Sequence, residues 1–337
     1  MLEYLRPALR DLKVHLALFL PMEYTSHPTE PLSLRRIGRN LSMHGRTLAR
    51  IVLLLGAAIV GCDDATPVVS PPAPLPDAAS DFNPATAGTI AGQVTWEGDV
   101  PVVAPFSSPV NTISEPIGNK LSWANPNAPV VEAQSRGVVG AILFLRGLDP
   151  RRSRPWDHPP VHVRMRDYQL VLEQGASAAP TAFVRRGDAV EMVSEQAAFH
   201  SLQARGAAFF SLAFPDAGRP RRRVLSQAGL VELSSGAGYF WMRAYLFVDD
   251  HPYYTRTDAT GHFRLEQVPP GEYELVCWLP SWHEADHERD GDTCLICRFL
   301  FRPPVEVVQR LVLDRAEAKT VAVKVTADLF GSQGSGE

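Results

Sequence analysis

The sequence lacks the short motifs by which the commonest catalytic sites are found. It has no G-x-S-x-G nucleophile elbow, no Walker-type phosphate loop and no G-x-G-x-x-G ahead of a helix. Serine, histidine and aspartate are plentiful, but one sequence does not reveal which of them meet in space. Nothing in the chain therefore positively supports an enzyme.

An apolar run long enough to cross a bilayer, which takes about 20 residues in a helix, is also missing. The apolar segment 51–61 is shorter, follows Arg46 and Arg50, and ends in a small residue before Cys62. A signal peptide has this order, in which basic residues are followed by an apolar stretch and then by a small residue. The composition of the whole chain, 45% hydrophobic and 21% charged, is that of a globular protein.

The residues Ile59-Val60-Gly61-Cys62 resemble the lipobox of bacterial lipoproteins. The resemblance implies that residues 43–61 are a signal peptide, removed before a Cys62 whose thiol carries the lipid. Residues 1–42 are then a gene-model extension or a long leader. The alternative for Cys62 is an ordinary buried thiol.

The expected mature chain is an acidic, extracytoplasmic protein anchored to a bacterial membrane, on its periplasmic face or at the cell surface. Residues 62–87 are rich in proline, alanine, serine and acidic residues, which predicts a disordered tether behind the lipid. Loss of residues 1–61 removes eight basic and four acidic residues, leaving 25 against 33 and a net charge of −8. Such a balance argues against nucleic-acid binding. The basic run 219–223 lies among prolines and glycine, as in a solvated loop.

The folded part is predicted to be all-β, because it shows many short alternating runs and no long amphipathic helix. We expect two consecutive β-sandwich domains, over residues 88–249 and 250–327, with residues 328–337 as a flexible tail. Runs that alternate as strands or strand fragments include 88–96, 138–145, 161–165, 182–184, 189–193, 207–213 and 240–248.

The segment 257–279 has the most specific local pattern in the chain. Asp258 to Gly261 suits a tight hairpin turn, and Val268-Pro269-Pro270-Gly271 suits a type II turn. Together with the alternating strand at 320–326, this segment resembles the carboxypeptidase regulatory-like module, a prealbumin-type sandwich found on secreted proteins. That module is grouped with carbohydrate-binding-like folds, so the resemblance implies a glycan as one ligand to test.

The order of signals from residue 184 to residue 245 resembles a cupredoxin of the plastocyanin type. His200 stands at the position of the first copper ligand and Met242 at the last, but the loop 234–240 has neither the cysteine nor the second histidine. A type 1 copper centre needs that thiolate, so the resemblance implies a degenerate copper site. Weaker copper binding through His200 is the alternative, and Met242 alternates as a core-facing strand residue.

The segment 278–297 concentrates potential metal ligands. His283 to His287 satisfies H-E-x-x-H, which holds zinc only on a helix with a third ligand, whereas this segment leaves a strand and enters a turn. We take the match as fortuitous. His283, His287, Cys294 and Cys297 are alternatively a ligand set for structural zinc. A disulfide from Cys294 to Cys297, or one involving Cys277, and a solvated loop without a site also stay open.

An aromatic row precedes and follows residue 249 and is a possible binding surface or, alternatively, an interface between the domains. We therefore expect a non-catalytic lipid-anchored binding or scaffolding protein without a cofactor, held to the membrane and in contact with a glycan or an envelope protein. A copper or zinc protein is the rival expectation. The aromatic row consists of Tyr239, Trp241, Tyr245, His251, Tyr253 and Tyr254.

Overall fold

The computed structural model describes residues 81–109, 120–289, 291–292 and 296–331. The predicted signal peptide, Cys62 and Cys294 lie outside these residues. The predicted all-β class is confirmed, since almost every regular element is a strand. The strands are β1 (Gly88–Glu97), β2 (Phe106–Pro109), β3 (Lys120–Trp123), β4 (Val130–Val131), β5 (Val138–Val139), β6 (Ile142–Arg146), β7 (Val161–Arg166), β8 (Gln169–Gln174), β9 (Ser177–Ala179), β10 (Thr181–Arg185), β11 (Ala189–Ser194), β12 (His200–Gly206), β13 (Phe210–Phe214), β14 (Arg221–Val224), β15 (Gly229–Ser235), β16 (Arg243–Asp249), β17 (Tyr254–Arg256), β18 (His262–Val268), β19 (Gly271–Leu279), β20 (Glu284–Arg289), β21 (Ile296–Phe301), β22 (Val305–Leu313) and β23 (Ala318–Thr326).

Helical structure is confined to short turns in the described residues. Two 3-10 turns span Pro84–Thr86 and Pro150–Arg152, and a single α-helical turn, α1, spans Asp328–Gly331. No helix in the described part of the chain is long and apolar enough to cross a membrane.

The first sandwich packs two five-stranded sheets face to face. Sheet I has the order β14-β11-β7-β8-β9, and sheet II has the order β10-β16-β15-β12-β13. Alternate residues point into the core between them, among them Val163 from sheet I and Leu202 and Leu246 from sheet II, each fully buried. This period-2 burial is what the strand geometry requires when one face of a sheet covers a core.

The second sandwich packs sheet III, in the order β17-β6-β19-β22, on sheet IV, in the order β18-β1-β23. Its core contains Trp96 from β1, Leu143 from β6, Cys277 from β19 and Val323 from β23. Strand β1 is the central strand of sheet IV, antiparallel to β18 and parallel to β23.

Sheets II and III also pack against each other through an aromatic layer. Tyr245 and Phe247 of β16 leave the opposite face of their strand from Leu246 and meet Trp278 of β19, whose ring centroid lies 5.1 and 5.0 Å from theirs. Because both faces of β16 are covered, six consecutive residues of that strand are buried. The two sandwiches therefore share a buried, mainly aromatic interface.

The predicted domain boundary at residue 249 does not match the pairing of the strands. Strands β1 and β6 come from the predicted first domain, yet β1 pairs with β18 and β23, and β6 pairs with β17 and β19. Conversely, Phe299 of β21 lies in the core of the first sandwich. The chain passes between the two sandwiches several times, so they are not consecutive segments.

Parts of both segments predicted to be flexible belong to the folded body. Residues 81–87, assigned to the tether, are bound to it by hydrogen bonds from the Asp81 amide to the Arg151 carbonyl and from the Ala316 amide to the Thr86 carbonyl. At the other end, Phe330 of α1 is buried, with its ring 4.2 Å from that of Trp282.

Candidate functional site

Five side chains gather at one end of the first sandwich and are called here the aromatic end cluster. The turn between β7 and β8, the start of β12 and the connection from β15 to β16 all lie at that end, and Trp123 approaches it from β3. The members of the cluster are Trp123, Tyr168, His200, Tyr239 and Trp241.

The turn that carries Tyr168 has an unusual backbone. Asp167 and Tyr168 are the two residues between paired Arg166 and Gln169, with φ angles of 49° and 54°. Both central residues of a type I′ hairpin turn require positive φ, which a bulky side chain adopts rarely. The Tyr168 amide donates to Oε1 of Gln196, and this bond helps to hold the strained turn.

Trp123 and Trp241 are the stacked pair of the cluster. Their rings stack with centroids 4.4 Å apart and an interplanar angle of 6°. Nε1 of Trp241 donates to the Tyr168 carbonyl at 2.8 Å, whereas Nε1 of Trp123 is buried without a hydrogen-bond partner among the described residues. The Tyr239 ring completes the group at 5.1 Å from Tyr168 and 5.8 Å from Trp241.

His200 is the most deeply buried member of the cluster, at 0% exposure. Its ring lies 5.1 Å from that of Tyr239 and 5.9 Å from that of Tyr168, and neither ring nitrogen has a partner in the described structure. Burial without a counter-charge lowers the pKa of His200, so the imidazole is neutral near pH 7. Met242 is also buried, in the core of the first sandwich.

A cavity of about 340 Å³, called here the Trp pocket, opens beside the stacked indoles. Its walls come from β8, β9, the residues after β3 and the start of β16. Representative lining residues are Trp123, Trp241, Gln169, Leu170, Ala178 and Arg243.

Arg243, at the base of the Trp pocket, is held by a buried charge network. Its Nη1 lies 2.5 Å from Oε1 of Glu232, its Nη2 donates to the Phe299 carbonyl, and its guanidinium stacks on Phe301 with 4.6 Å from Cζ to the ring centroid. Nη2 of Arg298 donates to the same Glu232 oxygen at 3.2 Å. Through Arg298, the hairpin β20–β21 is thereby bonded to Glu232 of β15, which also binds Arg243 of β16.

Four members of the predicted aromatic surface are not at a surface. Tyr245, His251, Tyr253 and Tyr254 are all buried because the outer face of sheet II and the following connection pack on the second sandwich. Burial raises the pKa of Tyr253 to about 12, as expected for a phenol removed from water. The expectation of a binding surface therefore fails for these four. Trp241 is buried too, at 8% exposure, and Tyr239 alone of the six is half-buried.

Three of the four residues considered for zinc lie in or just before the hairpin β20–β21, and the fourth, Cys294, lies outside the described residues. His283 is half-buried beside Trp282, before the start of β20, and His287 is exposed on β20, where its Nε2 accepts from Nε of Arg289 at 3.1 Å. The H-E-x-x-H segment is thus a strand, without the helical spacing that catalytic zinc requires. Cys297 lies on β21. No group of three or more His, Cys, Asp or Glu side chains in the described ranges is placed to hold a metal ion.

Cys277 does not belong to this hairpin. Its thiol is free and buried in the core of the second sandwich, where burial raises its pKa to about 12. A disulfide through Cys277, one of the alternatives from the sequence, is therefore not formed.

Three residues of the site were not found from the sequence. Trp123 stands alone in a short strand with no motif around it, Tyr168 occupies a turn that contains no glycine, and Arg243 looked like one polar position in an apolar strand. Only the alternation of residues 239–247 in the sequence grouped Arg243 with Trp241, which precedes β16 in the structure.

Comparison with known proteins adds little to this picture. No protein-family model matches the chain, and no curated protein matches it. Among solved structures, the reduced state of an amicyanin variant is 17% identical, with 26% of this chain and 81% of that chain covered and a TM-score of 0.22. The Cu(I) form of another amicyanin variant is 15% identical, with 32% and 97% covered and the same TM-score of 0.22. The similarity to this cupredoxin is weak and limited to a small part of the chain.

Proposed function

We propose that this chain is a non-catalytic binding or scaffolding protein of the bacterial cell envelope, held to its membrane by a lipid on Cys62. The observation that supports the binding role is the Trp pocket, a cavity of about 340 Å³ lined mainly by apolar side chains. Pockets of this size and character are typical of small-molecule sites. A glycan and an envelope protein are further candidate partners, the former by family resemblance alone.

The residues at the former copper position do not fit a type 1 copper centre. Serine occupies positions 234 and 235, and a serine hydroxyl cannot provide the thiolate bond that such a centre needs. The ring next to His200 on this side is Tyr239, not a second imidazole. The end of the sandwich is filled by aromatic packing, which supports a structural or binding role for it.

A metal-binding function is the rival, and one observation favours it. Both ring nitrogens of His200 are buried without a hydrogen-bond partner among the described residues. An unpaired buried imidazole could bind a metal ion that enters beside Tyr239, although a single imidazole makes a weak site.

Metal analysis of the full-length protein, purified from a bacterial host in detergent, separates the two functions. We expect copper and zinc well below one equivalent per chain and no charge-transfer absorption after addition of Cu²⁺. Stoichiometric copper that is lost in His200→Leu would contradict the proposal and establish the rival. Stoichiometric zinc that is lost in His287→Ala would place a metal at the hairpin instead.

The anchor is tested separately, because it rests on the lipobox-like sequence alone. Cys62→Ser should abolish incorporation of a labelled fatty acid in cells. Asp63→Ser, a neighbouring change outside the lipidated position, is the control and should leave labelling intact. Labelling that persists in Cys62→Ser would refute the lipid attachment.

A further inference from the structure

We infer that the first sandwich docks on an anionic phospholipid surface through residues 207–209 and 221–224, called here the Phe209 patch. This inference goes beyond the proposed function, in which the lipid on Cys62 alone holds the chain at a membrane. It follows from an apolar hairpin tip, an edge strand with unpaired arginines, and the common position of both at one end of the sandwich.

The connection between β12 and β13 is an apolar hairpin tip. Gly206, with a φ of 97°, is followed by Ala207, Ala208 and Phe209, and β13 begins at Phe210. Hairpin connections are normally rich in glycine, asparagine, aspartate and serine, which suit tight turns in water. The side chain of Phe209 is 86% exposed, although its neighbours Ala208 and Phe210 pack partly against the core. A well-supported hairpin thus presents one large apolar side chain to its surroundings.

Strand β14 is an edge strand of sheet I, and all four of its residues are exposed. The sequence suggested a solvated loop for residues 219–223, whereas Arg221, Arg222 and Arg223 pair with β11. Nη2 of Arg222 lies 2.8 Å from Oε2 of Glu191. Arg221 and Arg223 have no carboxylate within ion-pair distance among the described residues. The edge therefore carries two uncompensated positive charges in contact with water.

The hairpin tip and the end of β14 lie at the same end of the sandwich. The short connection 215–220 joins the end of β13 to the start of β14, so these two edge strands lie on one side of the sandwich and run in opposite directions. Phe209, just before β13, is therefore at the end where β14 finishes with Arg223 and Val224. Val224, at 40% exposure, adds a second apolar side chain there.

The carboxylates at this end of the sandwich have partners of their own. Oδ1 of Asp250 accepts from Nε of Arg186 at 2.8 Å. Asp249 accepts from a tyrosine hydroxyl at the interface with the second sandwich. Burial raises the pKa of Asp188, and the nearby charge of Arg185 opposes that shift. The two unpaired arginines of β14 are thus left for an anionic partner.

An exposed phenylalanine beside arginines suits the surface of an anionic bilayer. The ring can enter the boundary between headgroups and acyl chains, which removes its apolar surface from water. Each arginine near an anionic membrane surface strengthens binding about fivefold. Charges on edge strands also prevent pairing with other chains. That role would account for Arg221 and Arg223 but not for the exposed Phe209, whereas a membrane surface accounts for all three.

An acidic protein is the other partner that the arginines could attract. The proposed anchor favours the membrane, because a lipid on Cys62 would keep a bilayer surface at high effective concentration near the sandwich. Contacts too weak to hold a free protein would then suffice to orient an anchored one.

Hydrogen exchange of the full-length protein in vesicles, followed by mass spectrometry, tests the inference. One sample contains phosphatidylcholine alone, and the other contains equal parts of phosphatidylcholine and phosphatidylglycerol. We expect the amides of residues 206–210 to exchange at least about threefold more slowly in the anionic vesicles, since docking through two arginines there is favourable. The difference should vanish at high salt, which screens exposed charges.

Two variants locate the contact, and a third is the matched control. Phe209→Ser, and separately Arg221→Gln combined with Arg223→Gln, should each remove most of the slowing in anionic vesicles. All three positions are exposed, so the fold should survive, as circular dichroism would show. Phe199→Ser removes a phenylalanine that is 52% exposed at the opposite end of the sandwich, next to His200, and should keep the full slowing.

Equal exchange in the two kinds of vesicle, or slowing that persists in both variants, would overturn the inference. Slowing by dissolved polyglutamate but not by anionic vesicles would overturn it too and assign the Phe209 patch to an acidic protein. Flotation with phosphatidylcholine vesicles measures the anchor separately. Failure to float would count against the lipid on Cys62, and exchange with vesicles in excess would still decide the inference.

Discussion

At the scale of the single residue, His200 should make the protein sensitive to acid. Burial lowers its folded-state pKa below the ordinary value of 6.5, and the rings of Tyr168 and Tyr239 pack beside it. Between the lowered pKa and 6.5 the unfolded chain binds the proton more readily, so the stability from the neutral imidazole is present above pH 6.5 and is lost as the pH falls through the folded-state pKa.

Urea denaturation at pH 7 and pH 5 measures this effect. The free energy of unfolding should fall on acidification, and His200→Leu should remove part of that fall. The half-buried His158 and the buried His251 also have a lowered pKa and should account for a further part. His262→Gln, at an exposed position, is the control and should keep the full pH dependence. An identical fall in His200→Leu and the unaltered protein would contradict the assignment.

The residue patterns predicted the positions of the strands well, but they predicted the burial of the side chains poorly. The alternation at 240–248 correctly separated Leu246 and Val248 from Tyr245 and Phe247. It could not reveal that Tyr245 and Phe247 are buried as well. The alternation shows which residues share a face of a strand, but it does not show what covers each face. Burial of the second face depends on Trp278, which lies far along the chain.

At the scale of the element, the hairpin β20–β21 is fastened to the first sandwich through Glu232. Glu232→Gln should destabilise the protein by about 3 kcal/mol, because it removes the carboxylate from Arg243, a cation with 1% of its side chain exposed. Glu288→Gln is the matched control. Its carboxylate is 47% exposed, so its loss should cost less than about 1 kcal/mol.

Urea unfolding of both variants, followed by tryptophan fluorescence, gives the two free energies. Equal losses would show that the exposed and the buried carboxylate contribute alike, contrary to the charge network described here. The sequence did not suggest this role for the hairpin. The hairpin segment is rich in histidine, glutamate and cysteine, which indicated a metal site instead. The residues that fasten it, Arg298 and Phe299, follow that cluster and match no motif.

At the scale of the whole molecule, the interleaved chain path predicts that the two sandwiches fold together. A fragment of residues 250–327 lacks β1, the central strand of sheet IV, and β6, which lies between β17 and β19 in sheet III. Neither this fragment nor residues 88–249 should fold alone, since each would expose a core face to water. Circular dichroism and the dispersion of amide NMR signals would report the loss of structure.

The full-length protein provides the comparison and should unfold in a single transition, seen alike by fluorescence and by circular dichroism. A folded fragment 250–327 would show instead that the second sandwich is an independent domain. The resemblance to a known module favoured that independence. Local turn and strand patterns located strands such as β18 and β19, but they did not show that these two strands lie in different sheets. Such patterns carry no information about a partner strand that lies more than 150 residues away in the sequence.

The parallel pairing of β1 with β23, from Thr89 opposite Ala318 to Glu97 opposite Thr326, has a consequence for biosynthesis. Sheet IV cannot form until β23 has been synthesised and has left the ribosome. A product that terminates before β23 would leave β1 with an open edge and expose it to proteases. Synthesis of β23 thereby becomes a condition for a stable protein, and export of the chain in an unfolded state would be favoured by the same delay.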